Sequence, residues 1–341
     1  MPAARGARGV RGVRAARGAP VAPGARLAEV QRRRLAAAAV AVVDELGWGR
    51  VTVADITARA RVSRRTFYDL FADREECLLA VLEDVVGLVG RELAAAGLEG
   101  LPWRERLRGG VWVLLSFLER EPALARLCVV GALAGGPRVL RRREEVLARL
   151  TVFVDEGRRE SARGAECSAL TAEGVLGAAL AIVYARLLRG EREPLTGLLG
   201  ELMGLLVLPY LGPAAARRER LAPAPANHVR APREGASSVA GDPLEGVAMR
   251  LTYRTARVLE GVAELAARGP APSNREVAER AGITDAGQVS KLLARLERLG
   301  LLANHSGGHA KGEPNAWTLT PQGERVAMSI HTHTLHDREA A

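Results

Sequence analysis

The chain has 341 residues, a formal net charge of +10, 48% hydrophobic residues and only 4% aromatic residues. This length predicts two or three domains, and the shortage of aromatic side chains favours helical cores built from Leu, Val and Ala. The three cysteines lie far apart, without a C-x-x-C pair or a neighbouring histidine. This pattern excludes a disulfide framework and a zinc motif, and it fits a reducing compartment.

Much of the positive charge lies at the N-terminus. Residues 1–28 contain six arginines and no acidic residue, in Arg-Gly repeats that predict a disordered tail. The tail lacks the apolar core of a secretory signal. One interpretation is an arm that follows nucleic-acid phosphates or enters a minor groove. The alternative is a leader without function, from an arginine-biased genome or a misassigned start codon.

An apolar helix is predicted at Val30–Leu46, and it ends at Gly47-Trp48-Gly49. Thr52 stands where its hydroxyl can accept an orphan backbone N–H of a new helix, and Asp55 adds favourable charge to the first turn. The chain breaks again at Arg61-Val62-Ser63. This order predicts a second helix that is crossed closely by a third.

Ser63 is placed to cap a short basic helix at Arg64–Phe71, in which Phe67, Leu70 and Phe71 are expected to face inward. The side chains left on the outer face are Arg64, Arg65, Thr66 and Tyr68. They offer charge for phosphates, hydrogen-bonding groups for base edges and an aromatic hydroxyl for the backbone. Such a face is typical of a DNA-recognition helix; the alternative is an ordinary amphipathic hairpin.

This segment resembles the TetR family of bacterial repressors. The resemblance is carried by Thr52, Ile56-Thr57, Ala60-Arg61-Val62-Ser63, Thr66-Phe67-Tyr68, Phe71 and Arg74-Glu75-Glu76-Cys77-Leu78, and it extends more loosely over residues 29–212. Two glycines usual in the family are replaced here. Arg61 must accept a strained or left-handed conformation. Arg65 is expected to affect which DNA bases the helix contacts. The resemblance implies that Ser63–Phe71 enters the major groove, with phosphate contacts from Thr52, Tyr68 and Arg74.

Residues 74–212 read as successive helices separated by breaks that contain glycine or proline. The predicted helices are Arg74–Ala96, Trp103–Arg120, Pro122–Leu133, Pro137–Arg163, Ala172–Arg189 and Pro194–Leu211. The last two are apolar on most sides, and the TetR resemblance implies a homodimer through residues 172–211; the alternative is a larger monomeric core. No uncharged apolar run reaches the length of a membrane span. A soluble, cytoplasmic protein without a membrane partner is therefore expected.

The same resemblance implies an effector pocket among the middle helices. The candidate lining residues are Trp112, Phe117, Cys128, Phe153 and Tyr184. Such a lining suits a small hydrophobic or acyl-like effector. Apolar side chains at helical spacing also pack simply as core, which is the alternative for each of the five.

A flexible linker is predicted at residues 213–243, where Pro, Ala, Gly, Ser and Arg dominate. The domain beyond such a linker is expected to bind beside the main DNA site or to swing to another segment. A capping box at Ser273-Asn274-Arg275-Glu276 then opens a helix that runs to Ala281. After a turn at Gly282-Ile283-Thr284, a second helix continues to Leu299.

After Gly300 the apolar residues no longer follow helical spacing. Two short strands are predicted at Leu301–Asn304 and Asn315–Leu319, with a hairpin tip between them and a last helix from Thr320-Pro321. Residues 246–330 resemble MarR-like winged-helix domains through Ala281-Gly282-Ile283, the Leu292 to Leu301 run and Leu319-Thr320-Pro321-Gln322-Gly323. The candidate DNA contacts are Gln288, Ser290, Lys291, Arg295 and Lys311. Winged helices also serve in dimerisation or protein docking.

Residues 331–341 form a polar tail in which His331, His333 and His336 have H-x-H-x-x-H spacing. A metal could be held there, but a solvated tail is the alternative, and neither a metal nor a cofactor is predicted. The sequence has no Ser/His/Asp, Cys/His or phosphate-loop pattern. An enzyme is therefore not expected.

Together these patterns predict a mainly α protein with three domains. A three-helix helix-turn-helix domain at 29–73 precedes an all-helical, TetR-like effector-binding and dimerisation domain at 74–212, and a small α+β winged-helix domain occupies 244–330. The predicted function is a TetR-type repressor that binds double-stranded DNA in a sequence-specific way and is released or modulated by a hydrophobic small molecule. The alternative is an architectural protein that bridges DNA segments with two DNA-binding modules per chain.

Overall fold

The computed structural model describes residues 23–190, 193–225, 242, 244, 249–305 and 314–331. The first helix, α1 (Pro23–Leu46), leads through a 3₁₀ turn at Trp48–Arg50 to α2 (Val53–Ala60) and α3 (Arg64–Leu70). We call α1 to α3 the head. The predicted boundary of the N-terminal tail at residue 28 is wrong, because α1 already begins at Pro23 and its Leu27 is buried.

The next part of the chain, here called the body, is helical throughout. Its elements are α4 (Arg74–Ala95), α5 (Trp103–Arg120), α6 (Pro122–Ala125), a π-helical turn (Arg126–Val130), a 3₁₀ turn (Gly131–Ala134), α7 (Pro137–Asp155), a 3₁₀ turn (Glu156–Arg159), α8 (Ala162–Ala165), α9 (Thr171–Arg189), a 3₁₀ turn (Leu195–Leu198) and α10 (Leu199–Leu221). The prediction at Trp103–Arg120 is confirmed.

Two predicted body helices are broken in the structure. The segment predicted at Pro122–Leu133 passes from α through π to 3₁₀ geometry. The segment predicted at Pro137–Arg163 stops at Asp155, because the chain turns back to α8. Arg158 holds this turn by donating to the carbonyl oxygens of Cys167 and Ser168, and Ser161 caps α8 through the Gly164 N–H.

The body continues past the predicted start of the linker at residue 213. Gly212 leaves helical geometry (φ 81°, ψ 177°), a conformation that suits glycine, and Pro213 then begins the last part of α10. Arg108 fixes this end, since it donates to the Glu219 carboxylate at 3.0 Å and to the carbonyl oxygen of Pro223 at 2.8 Å. The linker boundary is thus corrected to lie beyond the end of α10.

Two segments of the body combine length with an apolar composition. Thr171–Arg189 and Leu195–Leu221 are both long and apolar enough to cross a membrane. The prediction that no uncharged apolar run reaches span length is not contradicted, because both segments include charged residues such as Glu173 and Glu201. The expected absence of a membrane partner stays a prediction, since both helices are candidates for a span by length and composition.

The last part of the chain, here called the C-terminal unit, contains four helices and two strands. These are α11 (Tyr253–Ala266), α12 (Asn274–Ala281), α13 (Ala286–Arg298), β1 (Leu302–Asn304), β2 (Trp317–Leu319) and α14 (Pro321–His331). The strands are antiparallel, with Leu302 opposite Leu319 and Asn304 opposite Trp317. The predicted capping box is confirmed, since Ser273 and Glu276 satisfy each other's backbone N–H groups.

A tight corner joins the strands to α14. Thr320 donates its hydroxyl to the carbonyl oxygen of Gly300 at 2.5 Å and accepts the Gly323 N–H at 3.0 Å. Gly323 itself faces the main chain of Leu301, where an added Cβ would lie 1.9 Å from the carbonyl oxygen. Only glycine fits this approach.

Buried apolar residues form three cores. The first joins the head to the start of the body, around Leu35, Ile56, Phe67 and Leu78. The second fills the C-terminal unit, and the third lies inside the body around Trp103, Met203 and Tyr210.

Helix α1 takes part in two of these cores. Leu27 and Val30, near its start, belong to the second core, whereas Leu35 and the residues after it belong to the first. Arg34 is buried between them and donates to Asp242 at 3.1 Å and to the carbonyl oxygen of Met249 at 3.2 Å. The C-terminal unit is therefore packed on α1, and the predicted freedom to swing on its linker is corrected accordingly.

Candidate nucleic-acid interface

The head begins its helix-turn-helix with a complete capping box at α2. The Asp55 N–H donates to the Thr52 hydroxyl oxygen at 3.3 Å, while the Asp55 carboxylate accepts the Thr52 N–H at 2.9 Å and the Thr52 hydroxyl at 2.6 Å. The side-chain hydrogen bond from Thr52, followed by the one from its backbone, lowers the pKa of Asp55. The predicted cap at Thr52 is confirmed.

The turn between α2 and α3 depends on one residue in the left-handed region. Arg61 has φ 52° and ψ 40°, and its N–H donates to the carbonyl oxygen of Ala58 at 3.2 Å. The next N–H, from Val62, donates to the carbonyl oxygen of Thr57 at 3.1 Å, and the Val62 side chain is buried. An arginine thus occupies a conformation that costs most residues about 1 kcal/mol relative to glycine.

Arg61→Gly is expected to stabilise the head by about 1 kcal/mol, because glycine adopts the left-handed turn without steric cost. Thermal unfolding followed by circular dichroism measures the gain. Arg59→Gly is the matched control, since it removes an exposed arginine from the last turn of α2 together with its ion pair to Glu45 at 2.7 Å, and should destabilise by about 1 kcal/mol. A loss of stability in Arg61→Gly would contradict the strain argument.

Helix α3 is fixed from its start and from its inner face. The Ser63 hydroxyl oxygen accepts the Thr66 N–H at 3.0 Å and lies 2.7 Å from the Thr66 hydroxyl. Phe67 and Phe71 are buried, with ring centroids 5.6 Å apart, and the guanidinium of Arg32 lies over Phe71 at 5.1 Å. The predicted cap at Ser63 and the inward positions of both phenylalanines are confirmed.

The outer face of α3 carries the predicted contact residues. Arg64 and Arg65 are exposed, Tyr68 is 58% exposed, and Thr66 is half-buried beside Ser63. The Tyr68 and Phe67 rings are nearly perpendicular, with their centroids 5.5 Å apart. Two guanidinium groups and one phenol thus stand together on a rigid support.

Arg74, the predicted phosphate contact, lies at the start of α4. One of its guanidinium N–H groups donates to the carbonyl oxygen of Val51, and the group lies over the Trp48 ring at 5.3 Å. Arg74 therefore ties α4 to the segment before α2. Its role toward DNA stays a prediction.

Immediately after α3, Asp73 and Glu75 of the chain connect α4 to Arg138 of α7. Asp73 caps α4 and accepts two hydrogen bonds from the Arg138 guanidinium, at 2.5 and 2.6 Å, while Glu75 accepts the Arg138 N–H at 2.6 Å. Burial opposes ionisation of Asp73, but the hydrogen bonds from Glu76 and Arg138 outweigh it and lower its pKa. No local sequence pattern predicts this contact, because its partners are more than sixty positions apart.

The five candidate effector residues do not share one core. Phe117 is buried in the first core and Cys128 packs against it, whereas Trp112 and Phe153 pack against the third core. Tyr184 is half-buried on α9. Burial raises the pKa of the Cys128 thiol to about 12, so this thiol is neutral.

The C-terminal unit presents a second polar face along α13. Gln288, Ser290, Lys291 and Arg295 are all exposed there, as predicted. Gln288 accepts a hydrogen bond from Arg254 at 2.9 Å, and Ser290 accepts one from Asn274 at 3.0 Å. The other predicted contact, Lys311, lies outside the described residues.

Sequence reasoning missed Arg254 and Asn274 on this face. Asn274 also accepts hydrogen bonds from the Trp317 indole at 2.6 Å and from Asn315 at 3.1 Å, so it links α12 to β2. The signal available for Asn274 was its place in the sequence, as a polar residue at the first position of the capped helix α12. Among the described residues, no group of three His, Cys, Asp or Glu side chains could hold a metal, and the predicted histidine cluster is largely outside them.

The part of the chain that matches a known family covers most of the head and the start of α4. Residues 35–81 match the family described as "Bacterial regulatory proteins, tetR family". A curated relative, the A-factor receptor protein of Streptomyces griseus, is 29% identical over 107 residues. That match covers 31% of this chain and only 37% of the relative, so it spans little more than a third of the relative's length.

Solved structures overlap with about half of the chain. The fatty acid degradation regulator FadR from Bacillus halodurans has a TM-score of 0.47 and 20% identity, over 52% of this chain and 94% of that chain. FadR from Bacillus subtilis, in complex with stearoyl-CoA, has a TM-score of 0.44 and 20% identity, over 52% and 97%. The match at residues 35–81 agrees with the capped α2–turn–α3 arrangement of the head, and this part of the chain is similar to bacterial regulatory proteins of the tetR family.

Proposed function

We propose that the chain is a sequence-specific DNA-binding repressor, which acts as a homodimer and is released from DNA by a small hydrophobic molecule. The observation that carries the proposal is the exposed face of α3. Arg64, Arg65 and Tyr68 stand there on a helix that is capped by Ser63 and anchored by Phe67. Contacts to phosphates and base edges need such donors on a rigid element.

Arg74 and Thr52, two of the proposed phosphate contacts, differ in how many of their N–H or O–H groups are left over from contacts within the chain. Arg74 uses one guanidinium N–H for the Val51 carbonyl oxygen, and an arginine has five such donors. The Thr52 hydroxyl has a single proton, which is donated to Asp55. Arg74 is therefore the stronger candidate for anchoring the head to the DNA backbone, and Thr52 positions α2.

Selection from a random double-stranded DNA library tests the proposal directly. The full chain is expected to enrich one palindromic motif, because a two-fold dimer presents two α3 helices to two half-sites. Enrichment without any common sequence would contradict sequence-specific binding. It would instead favour the architectural alternative, which is supported by the second exposed basic face on α13.

The proposed homodimer rests on the outer face of α9. Ile182 and Leu188 are exposed there, and the small residues Gly174, Ala178 and Ala181 leave room for close approach of another helix. On α10, Leu208 is also exposed. An apolar surface of this kind needs covering, and a second copy of the same helices would cover it.

Ala178→Arg is expected to weaken the dimer at least about tenfold, because it places a charge in a close apolar contact. Sedimentation velocity measures the change, since a dimer has twice the chain mass of 36.3 kDa. Ala148→Arg, at an exposed position of α7, is the matched control and should leave the dimer unchanged. A wild-type chain that stays in solution only with detergent would favour membrane insertion of α9 instead.

A further inference from the structure

The first half of α1 belongs structurally to the C-terminal unit. Leu27 is 7% exposed and Val30 is 1% exposed, and both lie in the same core as Leu251, Val258 and Ile330. Near them, the Gln31 side-chain amide donates to the carbonyl oxygen of Leu251 at 3.1 Å. This part of α1 is therefore a dock for the C-terminal unit.

An ion pair between the buried Arg34 and the half-buried Asp242 closes the dock. Arg34 is 2% exposed, and its guanidinium donates to both carboxylate oxygens of Asp242, at 3.1 and 3.4 Å. A further N–H donates to the carbonyl oxygen of Met249 at 3.2 Å. A buried charge needs such pairing. The C-terminal unit is therefore fixed at one position along α1, where Arg34 meets Asp242.

The second half of the same helix supports the recognition helix. Leu35, Ala39 and Val42 lie in the first core with Phe67 of α3. The helix runs without a break from Pro23 to Leu46. With a rise of 1.5 Å per residue, Val30 and Val42 are about 18 Å apart along its axis. The two units are thus joined by a stiff rod.

The dock leaves α13 uncovered. Helix α1 contacts α11 and α14 of the C-terminal unit. The side chains of Lys291 and Arg295 on α13 remain exposed, and Arg254 lies beside them through its hydrogen bond to Gln288. A positively charged face on a rigidly held unit suits the phosphates of a duplex.

We propose that α1 holds the C-terminal unit as a second DNA-contacting head at a constant distance from α3. Each chain then touches DNA twice, through α3 at the operator and through α13 at a flanking position whose distance is fixed. The inference rests on the proposed DNA binding by α3. Contact through α13 is made chiefly to phosphates, so the flanking sequence matters little.

Hydroxyl-radical footprinting on an operator placed between unrelated long flanks tests the inference. The full chain is expected to protect the operator and, at one constant distance on each side, a second zone. Lys291→Ala/Arg295→Ala should remove the flanking zone alone and lower the slope of log K against log salt by about 1.8 per chain. Arg268→Ala/Arg325→Ala removes two exposed arginines elsewhere on the unit and should keep both zones.

Two variants at the contact with α1 distinguish a C-terminal unit that is held rigidly on this helix from one that is connected only through the chain. Val30→Asp places a charge in the shared core, and Arg34→Met keeps the apolar stem but loses the ion pair. Both should keep the operator zone and lose the flanking zone. Flanking protection that persists in both variants, or is absent from the wild type beside a protected operator, overturns the inference. Loss of the operator zone in the wild type would instead contradict the proposed function itself.

Discussion

Arg65→Ala/Tyr68→Ala is expected to lower operator affinity about 100-fold or more. Both side chains stand exposed on α3, and a good base or phosphate contact contributes about 1–3 kcal/mol, which is roughly 5- to 150-fold in affinity. Because both side chains are exposed, the variant should lose no more than about 1 kcal/mol of stability, which comes from the contact of the Tyr68 ring with Phe67.

Fluorescence anisotropy with the selected operator measures this loss, and two variants sharpen it. Arg141→Ala removes an exposed arginine from α7 and should leave affinity nearly unchanged. Tyr68→Phe keeps the ring against Phe67 and removes only the hydroxyl. If the phenol contacts the DNA, this variant loses part of the affinity. Wild-type affinity in the double variant would refute the role of α3.

Gly323→Ala is expected to destabilise the C-terminal unit by about 3 kcal/mol, at the upper end of the range for overpacked sites. The new Cβ would lie 1.9 Å from the Leu301 carbonyl oxygen and 2.9 Å from its carbonyl carbon. Main-chain atoms cannot rotate away as a flexible side chain can. The corner between β1, β2 and α14 must therefore open.

Hydrogen exchange followed by mass spectrometry resolves where this destabilisation falls. Peptides from α11, α13 and α14 should exchange faster in Gly323→Ala, and peptides from the body should not change. Gly269→Ala is the matched control, because nothing lies within 4 Å of a Cβ added there. Equal protection in the two variants would show that the corner tolerates a side chain.

Local chemistry explains most of what the sequence predicted. The caps at Thr52, Ser63 and Ser273 are set by hydrogen bonds that span three residues, so they can be read directly from the sequence. The left-handed turn at Arg61 was predicted from the family resemblance instead, because a glycine is usual at this position in the family. Breaks at proline or glycine bounded α5 correctly. They did not bound the helices predicted at Pro122–Leu133 and Pro137–Arg163, which are interrupted in the structure.

Contacts between distant segments could not be predicted in this way. The tie from Arg138 to Asp73 and the dock of Arg34 on Asp242 join residues that no local pattern relates. Arg74 shows the same limit at the site itself. Its charge was predicted to serve DNA, but its contacts to Val51 and Trp48 depend on how α4 packs against the head.

Helix α1 packs against both the head and the C-terminal unit, and this has a consequence for folding during biosynthesis. Gln31 and Leu251 are separated by 220 positions, so the first half of α1 leaves the ribosome long before its partners exist. At about 5–20 residues per second, this interval is on the order of 10 to 40 s. Leu27 and Val30 stay unburied meanwhile, and in a polysome the dock of one nascent chain is open to the completed C-terminal unit of its neighbour. Exchange of the C-terminal unit between two chains is therefore the kind of misassembly that we expect for this fold.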